Sequence, residues 1–340
     1  MSGTPFMTRN PLRKLLVAAY VLLITLVALE AGVRIWGYSQ RHIYDPIYMS
    51  FDRAGDIPYI HKPNLTQVRA LGLAVINTDS LGLRTKAAGT LYAAKQPNEY
   101  RIAVVGDSVT FGEGVTRTED TFAQVLEDML NQRQQAVTVK VLNFGASAYS
   151  VKQMAATLQY RTLDIQPDLV VMAIIPSDFN LARTPTINES GYLVDQRLSH
   201  LSPLGSMVRR VLRQIHLTYV LRDIVLRWFF TPPNSAEIVS RGEVPETYEY
   251  VRQFKKVAEE RGLSHVIVLL PRRQQSAWGR MPDQLSRDAI THIDLSFLQY
   301  EFTEEQYMAS RFDPHPSAAV HHRIGEALAD YVQHQPGFAQ

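Results

Sequence analysis

The sequence predicts an α/β domain built on a mostly parallel sheet, carried behind one membrane-spanning helix. Three observations predict it. From residue 99 onward, short apolar runs of strand length alternate with stretches that repeat apolar residues at helical spacing, the order a parallel sheet requires. The triplet Gly106-Asp107-Ser108 ends the first such run, Ile102-Ala103-Val104-Val105, where open α/β sheets bind ligands outside a strand's carboxyl end. Residues 15–33 are apolar except for Thr25 and Glu30.

Composition agrees with a folded domain and narrows its chemistry. The chain has 340 residues, 46% hydrophobic and 20% charged, enough apolar content to bury a large core. A formal charge of +2 without a basic block gives no reason to expect nucleic acid. The absence of cysteine removes disulfides, zinc–thiolate sites and thiol nucleophiles, and leaves the redox compartment open. No cofactor or metal is expected.

The amino-terminal segment comes first in the chain. As a helix, residues 15–33 would span roughly 28 Å, close to a hydrocarbon core of about 30 Å. Arg13 and Lys14 precede it; Arg34, Trp36 and Tyr38 follow as an interfacial belt,. Glu30 and Arg34 are four apart and can pair on one helix face. A cleaved signal peptide is the rival, but no small-x-small pair follows the apolar run and Glu30 stands where cleavage should occur. The expected organisation is a tail over 1–14, an anchor over 15–36, a connector over 37–98 and a main domain over 99–340. Positive charges flank the anchor equally; the short tail favours a cytoplasmic amino terminus and an extracytoplasmic domain. Over 37–98, Pro58, Pro63 and turns suggest a strand-and-loop decoration packed on the main domain.

The elements of the main domain follow in order. The first strand is 102–105. Phe122, Val125, Leu126, Met129 and Leu130 then recur at helical spacing, with Thr121 and Gln124 placed as a capping box. The second strand is 137–144, ending at Gly145. A helix over 151–163 leads to a third strand at 169–175. A helix over 248–261 stops at Gly262, and a fourth strand runs over 265–270. The last helix is expected from Pro316 through Val320, Ile324, Leu328 and Tyr331, proline suiting a first turn. Residues 181–243 interrupt the alternation as a helical insertion. Within it, 205–230 carries Arg209, Arg210, Arg213, Arg222 and Arg227 among apolar residues. That stretch reads two ways, as a lid helix whose apolar face packs on the core or as a basic helix lying on an anionic membrane surface.

The residues with chemical potential fall after strands: Ser108 after the first, Gly145 after the second, Ser177 and Asp178 after the third. Asp313 and His315 precede the last helix. A serine hydroxyl is a poor nucleophile near neutral pH and needs an adjacent base. Histidine serves when a carboxylate holds its tautomer and steadies the imidazolium, and Asp313 is two residues away. Amides at Ser108 and Gly145 are natural oxyanion donors. His321 and His322 read as helix-surface residues, and Asp178 as a structural acid.

These residues resemble a family. Gly106-Asp107-Ser108-Val109-Thr110-Phe111-Gly112, Asn143-Phe144-Gly145-Ala146-Ser147 and Asp313-Pro314-His315-Pro316 look like blocks I, II and V of the SGNH (GDSL-type) hydrolases. The stretch 77–84, Asn-Thr-Asp-Ser-Leu-Gly-Leu-Arg, resembles the lead-in of bacterial members anchored by one helix. The resemblance implies a three-layer α/β/α, flavodoxin-like fold and metal-free ester chemistry. It implies Ser108 as nucleophile, His315 as general base, Asp313 as its orienting acid, and the Ser108 and Gly145 amides as oxyanion donors. Block III departs from the family's Gly-x-Asn-Asp: here it reads Ile175-Pro176-Ser177-Asp178. Ser177 then stands in for the third oxyanion donor, with Asn180 as a less favoured substitute.

The expected function is a membrane-anchored serine esterase acting on O-acyl esters, with O-acetyl groups of an extracytoplasmic polysaccharide as the leading class. The expected location is the bacterial inner membrane, single-pass, with the catalytic domain periplasmic. The partners are an acylated carbohydrate or other ester and the lipid bilayer, through 15–36 and, on one reading, 205–230. Two alternatives stay open: an O-acyltransferase of the same fold, and a non-catalytic envelope scaffold.

Overall fold

The computed structural model describes residues 11–51, 55–92, 94–133, 136–194, 208, 211–229, 239, 243–272, 278–335 and 338. It forms two compact units, Met1–His42 with Pro203–Thr231, and Ile43–Ser202 with Pro232–Gln340.

In the smaller unit, helix α1 (Pro11–Trp36) buries none of its residues. It is long and apolar enough to cross a membrane. Glu30 and Arg34 pair at 2.7 Å, as their spacing predicts. Glu30 also accepts hydrogen bonds from the His216 and Leu217 amides at 2.9 and 2.8 Å. These are the first amides of a second helix, α5 (His216–Phe229), which would otherwise lack partners. Arg34 donates to the Gln214 carbonyl at 2.9 Å. On α5, Leu221, Ile224, Val225 and Trp228 form an exposed stripe at spacings of three, one and three. Arg209 and Arg210 lie outside the described residues.

The larger unit is organised by strands β1 (Glu99–Gly106), β2 (Thr138–Asn143), β3 (Leu169–Ile174), β4 (Ser264–Leu269) and β5 (His292–Asp294). Their order is β5-β4-β3-β1-β2, and every adjacent pair is parallel. Side chains alternate between two apolar layers, as a strand's period of two dictates. Ile102 and Val104 pack with Phe122 and Leu126 of α3 (Phe122–Arg133) and with Ile324 and Leu328 of α8 (Ala318–Val332). Ala103 and Val105 join the opposite cluster. There they meet Met154 of α4 (Val151–Thr157), Phe254 of α6 (Glu249–Glu260) and Leu285 of α7 (Met281–Arg287). The result is the three-layer α/β/α arrangement. Burial on both faces explains why 102–105 of β1, the whole of β3 and 266–269 of β4 read as unbroken apolar runs,.

Since β1 is flanked by β2 on one side and β3 on the other, the chain reverses its direction of travel across the sheet at β1. Ser108 follows β1 at that switch point, where α/β sheets open a crevice.

Several expectations need correction. Pro316 does not open the last helix: it ends a strand, and α8 begins at Ala318. The capping box at Thr121 is absent, because the Thr121 hydroxyl donates to the Thr118 carbonyl and Gln124 binds Glu127 and Asp128. His321 is not a surface residue. It is fully buried, and its Nδ1 accepts from the Phe122 amide at 3.1 Å, thereby serving as the missing cap of α3. The helix from 151 is regular only to Thr157, then continues as a wider turn over Leu158–Thr162.

Residues 43–98 form short antiparallel pairings: Tyr48–Met49 with Ile60–His61, and Val68–Arg69, Val75–Thr78 and Arg84–Thr85 in series. Tyr48, Ile57, Tyr59 and Ile76 share one apolar cluster with Val105 and Met172. This segment is therefore continuous with the core of the sheet.

Candidate active site

Ser108 opens a one-turn helix, α2 (Ser108–Phe111), directly after β1. Asp107 caps that turn: its Oδ1 accepts from the Val109 amide at 2.8 Å, and its Oδ2 accepts from Ser108 Oγ at 3.3 Å. Gly112 ends the turn in the left-handed region, with its amide bonded to the Ser108 and Val109 carbonyls.

Two elements brace α2. The buried Arg84 guanidinium donates to the carbonyls of Gly112 and Val115, both at 2.8 Å, and lies over the Phe111 ring. His61 stacks on the other partner of that packing, its ring centroid 4.4 Å from Phe111. Burial lowers the His61 imidazole to about 3. The 77–84 stretch thus acts by delivering Arg84, and Asp79 folds the turn that does so by accepting from the Leu81 and Leu83 amides.

Asp313 and His315 lie on β7 (Asp313–Pro316), which pairs antiparallel with β6 (Met308–Ser310). Residues two apart on a strand share a face, so both side chains point the same way. His315 Nδ1 lies 2.6 Å from Asp313 Oδ1, and His315 Nε2 lies 3.0 Å from Ser108 Oγ. Ser108 and the Asp313–His315 pair, 207 residues apart in the chain, therefore form one continuous Ser–His–Asp line of contacts. Asp313 is 5% exposed, which shields the Nδ1 bond from water and strengthens it.

Gly72 secures Asp313 from behind. It sits at φ +70, and a Cβ there would strike the Gly114 backbone and stand 2.9 Å from Asp313 Oδ2. Only glycine supplies both that dihedral and that closeness.

The expected oxyanion donors are placed as follows. The loop after β2 seats Gly145 directly against the backbone of Phe111, where a side chain would clash. The Gly145 amide donates to Asn143 Oδ1 at 2.9 Å, while Asn143 Nδ2 donates to the Thr110 carbonyl at 2.7 Å. Asn143 stitches the two loops together, and an oxyanion would share the Gly145 amide with it. Ser177 is half-buried in the turn Pro176–Phe179 after β3. Asp178 is fully buried and accepts from the Ile175 amide at 2.8 Å, a structural role. Asn180 uses its carboxamide oxygen to accept from the Ala182 amide.

Sequence reasoning missed one group, Glu113. Its side chain is buried, with Oε2 3.4 Å from His315 Nε2. The Ser147 hydroxyl donates to Glu113 Oε1 and itself accepts from the Tyr48 hydroxyl at 2.8 Å. Tyr59 donates to the Ser147 carbonyl at 2.5 Å. Burial pushes the Glu113 carboxyl above the ordinary carboxylate range, against the pull of His315 and the Ser147 bond. The available signal was an acid five residues after the serine, in a motif otherwise apolar or small.

A doubly wound sheet whose switch point carries a serine in contact with a histidine–aspartate pair is a three-layer α/β architecture with the contacts a serine-type hydrolase uses. The family model described as GDSL-like lipase/acylhydrolase matches residues 102–328. The chain belongs to that family and is an ester hydrolase of the serine class. Solved structures of similar shape include a putative G-D-S-L lipolytic protein from Desulfitobacterium hafniense, at 12% identity and a TM-score of 0.40, with 68% of this chain and 98% of that one covered. A lipase/acylhydrolase from Enterococcus faecalis gives 12% identity, a TM-score of 0.41 and coverage of 69% and 95%. A two-domain esterase active on acetylated mannans gives 12% identity and a TM-score of 0.40, and this chain spans about half of it, with coverage of 69% and 49%. No curated protein matches the chain.

Proposed function

We propose that the protein is a membrane-anchored serine esterase that removes O-acyl groups through Ser108, His315 and Asp313. The observation that carries the reading is the contact of Ser108 Oγ with His315 Nε2 at 3.0 Å while Asp313 holds Nδ1 at 2.6 Å. In the acylation step, Ser108 Oγ attacks the ester carbonyl and His315 Nε2 takes the hydroxyl proton. Asp313 accepts from Nδ1–H throughout and stabilises the imidazolium. The tetrahedral oxyanion is met by the Ser108 and Gly145 amides, each worth about 3–4 kcal/mol where such donors have been removed. Collapse expels the alcohol, which takes the proton from Nε2. Water, deprotonated by the same nitrogen, then releases the acid and restores Ser108.

The anchor is α1, whose 26 residues reach roughly 39 Å as a helix. The exposed stripe of α5 supports a second contact with lipid. Arg13 and Lys14 against the start of a single span favour the cytoplasmic membrane of a bacterium, with the ester hydrolase outside the cytoplasm. O-acetylated polysaccharide is the substrate class this placement favours.

The full-length chain in detergent should take up a fluorophosphonate probe, and Ser108→Ala should abolish the labelling. Labelling that survives would remove Ser108 as the reacting group. A second reading is favoured by Ser177, which stands where the family carries asparagine and presents a shorter, rotating donor. In that reading, a sugar hydroxyl replaces water and the protein is an O-acyltransferase. Ester turnover that rises when a polysaccharide acceptor is added would favour transfer; turnover indifferent to acceptor would favour hydrolysis. If a Ser108→Ala strain keeps full cellular function, the envelope-scaffold reading replaces both.

A further inference from the structure

The Nε2 nitrogen of His315 faces two groups, Ser108 Oγ at 3.0 Å and Glu113 Oε2 at 3.4 Å. A histidine already paired with Asp313 needs no second carboxylate for the mechanism above. The groups that act on Glu113 are His315, Ser147, Asp313 and Asp107, with Tyr48 behind Ser147. The buried His321, held neutral by burial, lies within electrostatic reach of His315. A desolvated carboxylate in such surroundings is costly unless it shares a proton or a cation, and His315 is the group positioned to supply one.

We propose that Glu113 is a positioning residue for His315, a second carboxylate that stands on the Nε2 side as Asp313 stands on the Nδ1 side and competes with Ser108 for that nitrogen. The proposal rests on the Ser108–His315 reading given above.

The chain Tyr48–Ser147–Glu113 fixes Oε1 and leaves Oε2 directed at the imidazole. When the pair holds one proton, either Glu113 O–H donates to Nε2 or Nε2–H donates to Oε2. Both arrangements occupy the lone pair that Ser108 requires, so the serine is idle. Loss of that proton leaves the carboxylate ionised and Nε2 free. The proton that Nε2 then takes from Ser108 creates an imidazolium flanked by two anions, which favours the step. Burial raises the Glu113 carboxyl above its ordinary range, so it keeps a proton beside Nε2 to higher pH than a solvated carboxyl would. Glu113 therefore sets the acid limb of activity and raises the rate above it.

The rate of fluorophosphonate labelling as a function of pH reads this without a known substrate. Glu113→Gln keeps the volume and the acceptor for Ser147 but removes the charge. Its acid limb should move about one pH unit or more lower, in line with an opposite charge at this range. Its plateau rate should fall about tenfold, and its melting temperature should stay near that of the wild type. A folded Glu113→Gln variant with an unmoved limb overturns the proposal. Should that variant fail to fold, Ser147→Ala removes the hydroxyl that stabilises the ionised carboxylate without touching His315; a limb displaced upward supports the proposal and an unmoved one overturns it. Labelling that persists in Ser108→Ala would instead sink the underlying serine reading, whatever Glu113→Gln does.

Discussion

Gly72 lies more than two hundred residues from Asp313 in sequence, yet its replacement should damage both stability and activity. Ala at φ +70 incurs about 1–2 kcal/mol from the left-handed backbone,. Its Cβ would meet the Gly114 amide and stand 2.9 Å from both Gly114 Cα and Asp313 Oδ2. Overpacking of that kind costs about 1–3 kcal/mol. Gly72→Ala should therefore destabilise by about 2–5 kcal/mol, a fall in melting temperature on the order of 10 °C for a unit of this size. To relieve the clash, Asp313 Oδ2 must retreat by some tenths of an ångström. That shift loosens the imidazole it holds, with a rate loss of about tenfold to a hundredfold. Gly262→Ala is the matched control: φ is +64, but nothing lies within 4 Å of its Cβ, so it should lose only about 1 kcal/mol and no activity. Urea unfolding and fluorophosphonate labelling rates report the two quantities. If both variants lose the same stability and Gly72→Ala labels at the wild-type rate, the proposed brace behind Asp313 does not exist.

Two further outcomes follow from other parts of the molecule. His61 is lowered from 6.5 to about 3 by burial, so between those values the unfolded chain binds more protons than the folded one and stability falls as pH drops. His61→Phe, which keeps the stack on Phe111, should flatten that dependence by about 2 kcal/mol between pH 7 and pH 5, read from urea midpoints; an unchanged slope would show that His61 is not buried neutral. With Trp36 and Trp278 replaced by Phe in the full chain, Trp228 fluorescence should be quenched by brominated lipid in vesicles, since that ring is 79% exposed beside Leu221, Ile224 and Val225; unquenched emission would take α5 off the bilayer.

The sheet was legible because burial on both faces leaves Ile102–Val105 of β1, all of β3 and Val266–Leu269 of β4 without polar residues. Strand β5 was not: His292-Ile293-Asp294 carries one apolar side chain, and only its pairing with β4 makes it a strand. Ser108, Asp313 and His315 were legible because ester chemistry demands those residue types and two of them are neighbours in sequence. Their immediate supports were not. His321 caps α3 from 199 positions away, and Arg84, Gly72 and Tyr48 reach the site from a segment whose pattern reads as strand-and-loop decoration. Glu113 escaped because an acid on a loop has no periodicity to betray its burial. Such residues are defined by what folds against them, and one-dimensional spacing does not carry that information. The oxyanion region stayed ambiguous for a related reason: whether an amide is already engaged, as Gly145 is by Asn143, depends on loop closure.

The hairpin that carries Asp313 and His315 has a consequence for how this chain can vary in length. Its connection, Arg311-Phe312, is two residues long, and the pairing shifts by one between Met308 and Ser310. Alternation along β7 means that gaining or losing a single residue there would present Pro314 inward and turn acid and imidazole together toward the outside. Insertions elsewhere on the surface leave the chemistry in phase; at this corner, parity itself is constrained.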